Sequence, residues 1–350
     1  MMTVILFILI FGLVVLSHEF GHFLLAKLNG IHVVEFSLGM GPTLCSFTKK
    51  ETKYAIRLFP IGGACMFEGE DGLETENGGG EGSFLKAKVW ARIATVVAGP
   101  IFNFILAFIV AIIVVSMSST DLTVLSGTAK GSPAETAGLK EGDKIVSING
   151  EKTYVFRDVY LLTLLNKGEP MSIVYERNKE KHTVELTPIF DEAGNKYAMG
   201  IYGGIYEQPK GVAVFRDAWY EIRYSVKATY KSLGLLITGQ FNREDMAGPV
   251  GIAVNVVGKT YEAAKDYGIK SVVLSMLNIV ILLSVNLGIL NLLPIPALDG
   301  GRLVFLLLEV VRRKPVPPDK EGIVHFVGLV FFMILMVVVL FNDLVNIFGA

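Results

Sequence analysis

Four long apolar stretches alternate with polar segments along the chain. They cover Val4–Leu28, Ile93–Met117, Val272–Leu293 and Val324–Phe341. Each is about long enough to cross a hydrocarbon layer of about 30 Å as a helix. The segment between the second and third stretches has short runs in which apolar and polar residues alternate, which is typical of half-buried strands. The pattern therefore predicts a polytopic α-helical membrane protein with about four transmembrane helices and one inserted, β-rich domain.

A second β-type pattern lies in the loop after the first apolar stretch. Residues 33–67 contain short runs of strand-type composition, separated by glycine-rich turns at Gly39–Pro42 and Gly62–Gly63. The hairpin that these runs predict is apolar, so we expect it to be membrane-associated. It must be shielded by protein, because unsatisfied backbone groups are costly in lipid. The glycine-rich segment at 76–83 then predicts a flexible linker or a loop tip.

The composition agrees with a membrane protein. Hydrophobic residues make up 52% of the chain and charged residues 19%, whereas soluble domains are on average less apolar and more charged. The formal net charge is -1 and the chain has no long basic tract, so we expect no nucleic-acid partner. Cys45 and Cys65 lack the spacing of a zinc ribbon, and nothing in the sequence indicates a disulfide between them.

The basic residues of the short loops predict the orientation in the membrane. The loop between the first two apolar stretches and the loop between the last two are rich in lysine and arginine, whereas the segments before the first stretch and after the last have none. Such residues favour the cytosolic side, so both loops are expected in the cytosol. Both termini and residues 118–271 are then extracytoplasmic. The basic residues are Lys27, Lys49, Lys50, Lys53, Arg57, Lys86, Lys88, Arg92, Arg302, Arg312, Arg313, Lys314 and Lys320.

The first apolar stretch is interrupted by the sequence HEFGH at residues 18–22. On a helix, the two histidines at i and i+4 project from the same face and suit two ligands of one zinc ion. Glu19 would lie beside the metal, where it can take a proton from water. Ionisable side chains inside a membrane span are costly and are by default functional. The pattern therefore predicts a catalytic zinc centre with His18 and His22 as metal ligands and Glu19 as the base.

A catalytic zinc site needs a third protein ligand, and three carboxylates are candidates. Asp299 ends the apolar run at 286–301, in which two prolines break the helix and would hold the carboxylate near membrane depth. A carboxylate at that depth needs a partner such as a cation. Glu35 follows the first helix closely and would need a sharp return, and Glu309 is expected to be solvated near the basic loop. We favour Asp299, with Glu35 and Glu309 as weaker alternatives.

Residues 212–238 return to a helical period. Their apolar residues fall three or four apart and predict an amphipathic helix. The apolar face is expected to pack on the inserted domain or on the other helices. The alternative is a position at the membrane interface. The residues of this face are Phe215, Trp219, Ile222, Val226, Tyr230 and Leu233.

Several further motifs occur in a fixed order along the whole chain. They are HEFGH at 18–22, FSLGMGP at 36–42, RLFPIGG at 57–63, AGPIFN at 98–103, GPVGI at 248–252 and NLLPIPALDGG at 291–301. Between them, GSPAETAGLKEGDKIVSING at 131–150 resembles a PDZ domain of the bacterial, protease-associated kind. Together they make the chain similar to the site-2 protease family of intramembrane zinc metalloproteases. The likeness is greatest to the RseP-type bacterial members with a single PDZ domain, whereas some other members carry two.

The resemblance implies roles at the matching positions. It implies three zinc ligands and a catalytic base, namely His18, His22, Asp299 and Glu19. It also implies two substrate-binding residues, Asn291 and Pro294, which would contact and help to unwind a substrate helix. The hairpin at 36–63 would pair at its edge with an extended substrate strand, which exposes a scissile bond that a helix hides.

Some polar residues remain without an assigned role. Asn103 in AGPIFN is equally compatible with an interhelical hydrogen bond and with a contact near the site. Ser17 is most simply a helix-packing hydroxyl. His32, His182 and His325 have no matching partners, so we assign none of them to a metal.

The expected domain order is a protease core divided by an inserted domain. Residues 1–117 hold the first two spans and the hairpin loop, and 118–208 form the PDZ domain. Residues 209–271 hold the amphipathic helix and a connecting segment, and 272–350 hold the third and fourth spans. The resemblance implies a multi-pass protein of the bacterial cytoplasmic membrane. Its PDZ domain would be extracytoplasmic and its active site would lie toward the cytosol.

The expected function is that of a zinc metalloendopeptidase. It would hydrolyse peptide bonds in or near transmembrane segments of single-span membrane proteins, in regulated intramembrane proteolysis. The resemblance suggests anti-sigma factors or remnant signal peptides as substrates, with a peptide or a prior-cleaved substrate at the PDZ domain. The alternative is a non-catalytic PDZ membrane adaptor with a structural zinc ion, which four protein ligands would enclose.

Overall fold

The apolar stretches form helices in the computed structural model, which describes residues 2–69, 80–192, 194, 196–240 and 248–348. In chain order the helices are α1 (Met2–Leu28), α2 (Val89–Met117), α3 (Pro133–Thr136), α4 (Phe156–Leu165), α5 (Ala213–Ile237), α6 (Pro249–Gly251), α7 (Lys259–Lys265), α8 (Ile269–Asn291), α9 (Asp299–Arg312) and α10 (Pro318–Phe348). A π-helix at Ile252–Gly258 joins α6 to α7. Of the predicted linker at 76–83, residues 76–79 lie outside the described residues.

Within the described residues, four helices are long and apolar enough to cross a membrane, namely α1, α2, α8 and α10. The prediction of four apolar helices is therefore confirmed. Each helix begins a few residues before its apolar stretch. The physical reason is that backbone hydrogen bonds define a helix, whereas hydrophobicity marks only the part of it that suits lipid.

The strands fall into two regions of the chain. In order they are β1 (Val33–Lys49), β2 (Thr52–Phe67), β3 (Thr120–Asp121), β4 (Gly127–Thr128), β5 (Lys144–Ile148), β6 (Glu151–Lys152), β7 (Met171–Arg177), β8 (Glu180–Leu186), β9 (Ile189–Asp191), β10 (Lys196–Ala198), β11 (Ile201–Tyr202) and β12 (Tyr206–Glu207). The first two follow α1, and the others lie between α2 and α5. The expected β-rich insertion is therefore present.

The chain divides into two compact units. The first comprises Met1–Val110 and Ser232–Ala350, and the second comprises Ala111–Lys231. The first unit thus brings together segments from both ends of the sequence. The second is the inserted β-rich region with most of α5.

A buried apolar cluster ties the hairpin to the helices of the first unit. Its members come from α1, β1, β2, α2, α9 and the short connections between them, and they are Ala26, Ile31, Val33, Phe67, Phe84, Val96 and Leu306. Burying a large apolar side chain of this kind stabilises a fold by about 1.5–3 kcal/mol. The cluster holds β1 and β2 against the half of α1 that carries HEFGH.

The pairing of β1 with β2 has two registers. Residues 35–38 pair with 63–66 in one register and with 53–56 in the other. The first part of β1 therefore lies between two segments of β2. The segment at 63–66 occupies one side of this small sheet, and it is the side that meets the site described below.

The inserted unit is built on a four-stranded sheet in the order β6-β5-β7-β8. β7 and β8 pair antiparallel and form a hairpin. The carboxylate of Asp143 is fully buried just before β5, and Arg177 at the end of β7 donates two hydrogen bonds of 2.7 Å to it. Such a paired contact satisfies a charge that would otherwise be costly to bury.

The buried face of α5 is mainly polar, although Ala218 and Ile222, the latter from the predicted apolar face, are buried on it as well. Its charged residues pair with the rest of the inserted unit: Asp217 with Thr120, Glu221 with Arg157, and Lys227 with Asp158. Phe215, Trp219 and Tyr230 are instead 54%, 55% and 59% exposed. The expectation that the apolar face packs on protein is therefore wrong for these three residues, because ion pairs rather than apolar contacts orient the helix.

Candidate metal centre

The two histidines of HEFGH lie side by side on one face of α1. His18 and His22 are each 7% exposed, and their Nε2 atoms are 3.2 Å apart. The rings meet edge to face with 4.7 Å between their centroids. The i, i+4 spacing therefore directs both Nε2 atoms to the same point, as helical geometry requires.

A turn after α8 brings a carboxylate to that point. α8 ends at Asn291, and Asp299 is the first residue of α9. Between them Ala297 has a φ of 72°, in the left-handed region that non-glycine residues seldom adopt. The turn places Oδ2 of Asp299 at 3.1 Å from Nε2 of His18 and 3.3 Å from Nε2 of His22. Among the described residues, these three side chains form the group that could hold a metal ion.

The spacing of the three atoms suits a tetrahedral zinc ion. With metal–ligand bonds of about 2.0–2.1 Å, two tetrahedral ligands lie about 3.3–3.4 Å apart. The observed separations are 3.2, 3.1 and 3.3 Å. Oδ2 of Asp299 is buried and has no well-aligned hydrogen bond within the described part of the chain. Leaving such an oxygen unpaired is costly, and a cation would satisfy it. The residues present therefore fit zinc.

Glu19 lies on the side of the centre that faces β2. Its carboxylate interacts with the main chain of Cys65 in β2. It also lines the same cavity as the three grouped residues. The side chain next to the first histidine is therefore placed beside the candidate ligands, as a base for their chemistry must be.

Two glycines leave room for these side chains. A Cβ at Gly63 would lie 2.7 Å from Cγ of Glu19, and a Cβ at Gly99 would lie 2.3 Å from Nε2 of His22. Both distances are far below a normal van der Waals contact. In the sequence these glycines are weak signals, because glycine also marks any tight turn. Their part in the site becomes visible once α2 and β2 are packed on α1.

A cavity of about 610 Å³ adjoins the grouped residues. Its wall includes residues 62–67 of β2 without interruption, as well as parts of α1, α8 and α9. Asn291 and Arg302 add polar groups to the lining, and the amide nitrogen of Asn291 is 3.4 Å from Nε2 of His18. Pro294 is exposed and is not among the described residues that line the cavity. Of the two residues expected to bind substrate, the structure therefore brings only Asn291 to the site.

The ring nitrogens that face away from the grouped atoms contact α2. Nδ1 of His22 donates to the carbonyl oxygen of Thr95 at 2.9 Å. Nδ1 of His18 lies 3.3 Å from the side-chain amide of Asn103. Such outer contacts fix the orientation and tautomer of metal-binding histidines.

The two weaker candidates for the third ligand pair with cations instead. Glu35 receives hydrogen bonds from Lys53 and Arg57. Burial raises the pKa of the Glu35 carboxyl, but the hydrogen bonds from Arg57 and Lys53 outweigh it, so the net pKa is lowered. Glu309 pairs with Arg92, and both side chains are largely buried. The expectation of a solvated Glu309 is wrong, because Arg92 at the start of α2 supplies a charge partner inside the fold.

The first turns of α10 add a residue that the sequence did not identify. Nδ1 of His325 accepts a hydrogen bond of 2.9 Å from the main-chain N–H of Ala297, two residues before Asp299. A Cβ at Gly328, three residues further along α10, would lie 2.5 Å from Cβ of Pro296. The sequence signal that could have identified His325 is its position at the start of an apolar span, where polar residues are often functional.

The remaining histidines and the cysteines have other surroundings. His32 pairs with Glu68 at 2.9 Å, and His182 is exposed on β8. Cys45 and Cys65 are both free thiols. None of these residues belongs to the grouped side chains found in the described part of the chain.

Comparison with known proteins gives matches over nearly the whole chain. Peptidase family M50 matches residues 6–335. The zinc metalloprotease RasP of Geobacillus kaustophilus is 34% identical over an alignment of 424 positions, gaps included, which covers 99% of this chain and 98% of that protein. The regulator of sigma-W protease RasP of Bacillus subtilis is 34% identical over an alignment of 428 positions, gaps included, which covers 99% of each protein. Among solved structures, the PDZ domain of an SdrC-like protein from Listeria monocytogenes is similar over 24% of this chain and 87% of that one, with a TM-score of 0.22 and 20% identity.

The chain therefore belongs to peptidase family M50. The resemblance to the site-2 proteases is confirmed, and so is the predicted enzyme class, a metalloprotease. Zinc, the predicted cofactor, is the metal that the name of the Geobacillus relative gives.

Proposed function

We propose that the chain is an intramembrane zinc metalloprotease that hydrolyses peptide bonds in or near transmembrane segments of single-span membrane proteins. The observation that carries the proposal is the meeting of His18, His22 and Asp299 at one point, with α1 and α8 long and apolar enough to span a membrane. Family membership supports the chemistry. The position of the histidines within an apolar helix supports the place where that chemistry occurs.

The residues of the centre divide the work of hydrolysis. His18, His22 and Asp299 would hold zinc, which when bound supplies Lewis-acid activation of water and of the scissile carbonyl. Glu19 takes a proton from the attacking water and delivers it to the leaving amine. The main chain of Cys65 lies beside the Glu19 carboxylate, and both residues line the cavity. Asn291, beside His18, is placed to donate a hydrogen bond to a substrate carbonyl.

The substrate is expected to bind as an extended strand. A helix hides its peptide groups, whereas pairing at a strand edge exposes the bond to be cut. Residues 62–67 line the cavity next to Glu19 and offer main-chain groups to such a strand. Pro294 lies in the exposed turn between α8 and α9, where we expect it to contact the substrate before the bond reaches the centre.

We infer a bacterial cytoplasmic membrane location from the apolar helices and the basic loops. The hairpin is then membrane-associated on the cytosolic side. The PDZ domain at 118–208, within the inserted unit, is extracytoplasmic. It would act as a size filter or docking site for substrates already shortened outside. Anti-sigma factors and remnant signal peptides are the proposed substrate types, and one relative is named for the regulation of a sigma factor.

The rival hypothesis is a non-catalytic PDZ adaptor with a structural zinc ion. Such a zinc site is closed by four protein ligands. The described residues group three, and Glu19 lies beside them in the cavity wall. The arrangement therefore favours a catalytic site.

The Glu19→Gln variant tests the function directly. It keeps the shape of the side chain and the three grouped residues, so it is expected to retain zinc and fold. Loss of proton transfer should lower the cleavage rate by about 100- to 10,000-fold. The rate is measured on a model single-span substrate in reconstituted membranes, and the zinc content by atomic spectroscopy. Mass spectrometry of membrane peptides that accumulate with the variant would identify substrates.

Glu262→Gln, the same change at an exposed position of α7, is the matched control and should cleave at the wild-type rate. Undiminished cleavage by Glu19→Gln would remove Glu19 from the mechanism. A wild-type protein that binds zinc without cleaving any transmembrane substrate would favour the adaptor.

A further inference from the structure

Asn103 lies directly behind the first histidine of the candidate metal centre. It is fully buried in α2, and its side-chain amide is 3.3 Å from Nδ1 of His18. Oδ1 of Asn103 has no hydrogen-bond partner within the described part of the chain. A buried side chain that serves only to pack two helices is usually apolar, and a buried amide usually has all its polar atoms hydrogen-bonded. The contact with His18 therefore calls for a chemical reason.

As a zinc ligand, His18 needs a hydrogen-bond acceptor next to its Nδ1 atom. Its Nε2 faces His22 and Asp299, so Nε2 is the atom that must present a lone pair to a metal. The proton of the neutral ring is then on Nδ1, which becomes a donor. Asn103 can offer Oδ1 to that donor by a half-turn of its amide, because the two ends of an amide are nearly equal in shape.

His22 receives the equivalent contact from the main chain. Its Nδ1 donates to the carbonyl oxygen of Thr95, also in α2. A carbonyl can only accept, so this contact fixes the proton on Nδ1 of His22 and leaves Nε2 free to bind. α2 thus places one acceptor behind His22, and a side chain able to supply the second behind His18.

We propose that Asn103 is a positioning residue for the zinc ligand His18. Its Oδ1 accepts the Nδ1–H bond and holds the ring in the tautomer and orientation that present Nε2 to the metal. The proposal rests on the zinc centre argued above and adds a residue to it. The role makes zinc affinity depend on Asn103, beyond any effect on the packing of α1 against α2.

Ser17 provides a matched control for helix packing. Its hydroxyl donates to the carbonyl oxygen of Phe102 at 3.1 Å. This bond joins the same two helices, one residue before His18 on α1 and one residue before Asn103 on α2. It involves no ring nitrogen of the metal centre. Ser17→Ala therefore removes an interhelical bond at the same depth and leaves the contact with His18 in place.

The experiment measures the Kd for zinc of the full-length protein in detergent, by competition with a chromophoric chelator. Asn103→Leu and the smaller Asn103→Ala lack an acceptor, and each should weaken zinc binding by about 10- to 100-fold. Asn103→Asp keeps an acceptor oxygen and should bind zinc nearly as tightly as wild type. Ser17→Ala should match wild type. The absorption spectrum of the cobalt-substituted protein should change in the first two variants only.

Wild-type zinc affinity in both Asn103→Leu and Asn103→Ala would overturn the proposal. So would equal losses in Asn103→Asp and Asn103→Leu, or a loss in Ser17→Ala as large as that in Asn103→Leu, since either would assign the effect to packing. A failure of the zinc centre itself is distinguishable, because wild type would then bind no stoichiometric zinc. Thermal unfolding of the metal-depleted variants shows whether each one folds.

Discussion

Gly99 of α2 lies against both histidine rings of the candidate metal centre. A Cβ at this position would be 2.3 Å from Nε2 of His22 and 2.8 Å from Cε1 of His18. The absence of a side chain lets α2 approach α1 closely enough to put its acceptors behind the rings. The centre therefore depends on a residue with no functional group of its own.

Gly99→Ala is expected to weaken zinc binding and cleavage together. Overpacking of this kind typically costs about 1–3 kcal/mol, which corresponds to about 5- to 150-fold in affinity if it falls on the zinc-bound form. Zinc titration and substrate cleavage measure the two effects. Gly12→Ala on α1 is the control, because its added Cβ would meet nothing within 4 Å. Unchanged zinc affinity in Gly99→Ala would mean that α2 can shift away without cost.

Among the elements, α10 makes polar contacts near both of its ends. In its most apolar window, 6% of the residues are buried. His325 near its start accepts from the N–H of Ala297. Asp343 near its end is buried and accepts from the N–H groups of Gly248 and Gly251, at 2.9 and 2.8 Å. One helix therefore holds both the turn before α9 and the start of α6.

His325→Phe is expected to slow cleavage through the turn that carries Asp299. The new ring keeps the contact with Phe305 but cannot accept from Ala297. An exposed hydrogen bond of this kind contributes about 0.5–1.5 kcal/mol, so cleavage should fall by about 2- to 10-fold if the lost stability affects only the active form. The rate is measured in reconstituted membranes, with His182→Phe as the exposed control. Equal rates in His325→Phe and wild type would show that the turn is stable without α10.

For the molecule as a whole, we expect the inserted unit to lie next to a bilayer, because α2, which precedes it, is long and apolar enough to span one. Asp217 of α5 bonds to Thr120, three residues beyond the end of α2. Three residues of chain span about 10 Å at most, so this turn of α5 lies close to the end of a predicted span. Phe215 and Trp219 project from the exposed face of the same turns. Aromatic side chains in that position are typical of a helix at the membrane interface.

We therefore expect Trp219 to contact lipid in the reconstituted full-length protein. The chain has two tryptophans, so Trp90→Phe leaves Trp219 as the sole emitter. Brominated lipids should quench its fluorescence, and aqueous iodide should quench it weakly. Trp219→Phe, with Trp90 as the sole emitter, is the matched control for the quenching measurement. Strong quenching by iodide with none by brominated lipid would place α5 away from the membrane.

The features that the sequence predicted well are local ones. Hydropathy over about 20 residues identifies a span, and the i, i+4 spacing of His18 and His22 sets their common face whatever surrounds the helix. The prolines after α8 also predicted that Asp299 would follow a break in the helix. The structure brings these residues and Glu19 together, while their roles as ligands and base stay predictions for the experiments above.

Only the tertiary structure decided the contacts between residues that are far apart in the chain. The apolar period of α5 indicated a buried apolar face, yet ion pairs with distant residues turned its polar face inward. Glu309 gained a partner in Arg92, and His325 a role at Ala297, through packing that no local pattern encodes. By itself the sequence determined which segments prefer lipid and which side chains share a helical face, because hydrophobicity and helical period act within a segment. The fold decided which of those faces meet, because each such contact depends on the positions of two segments at once.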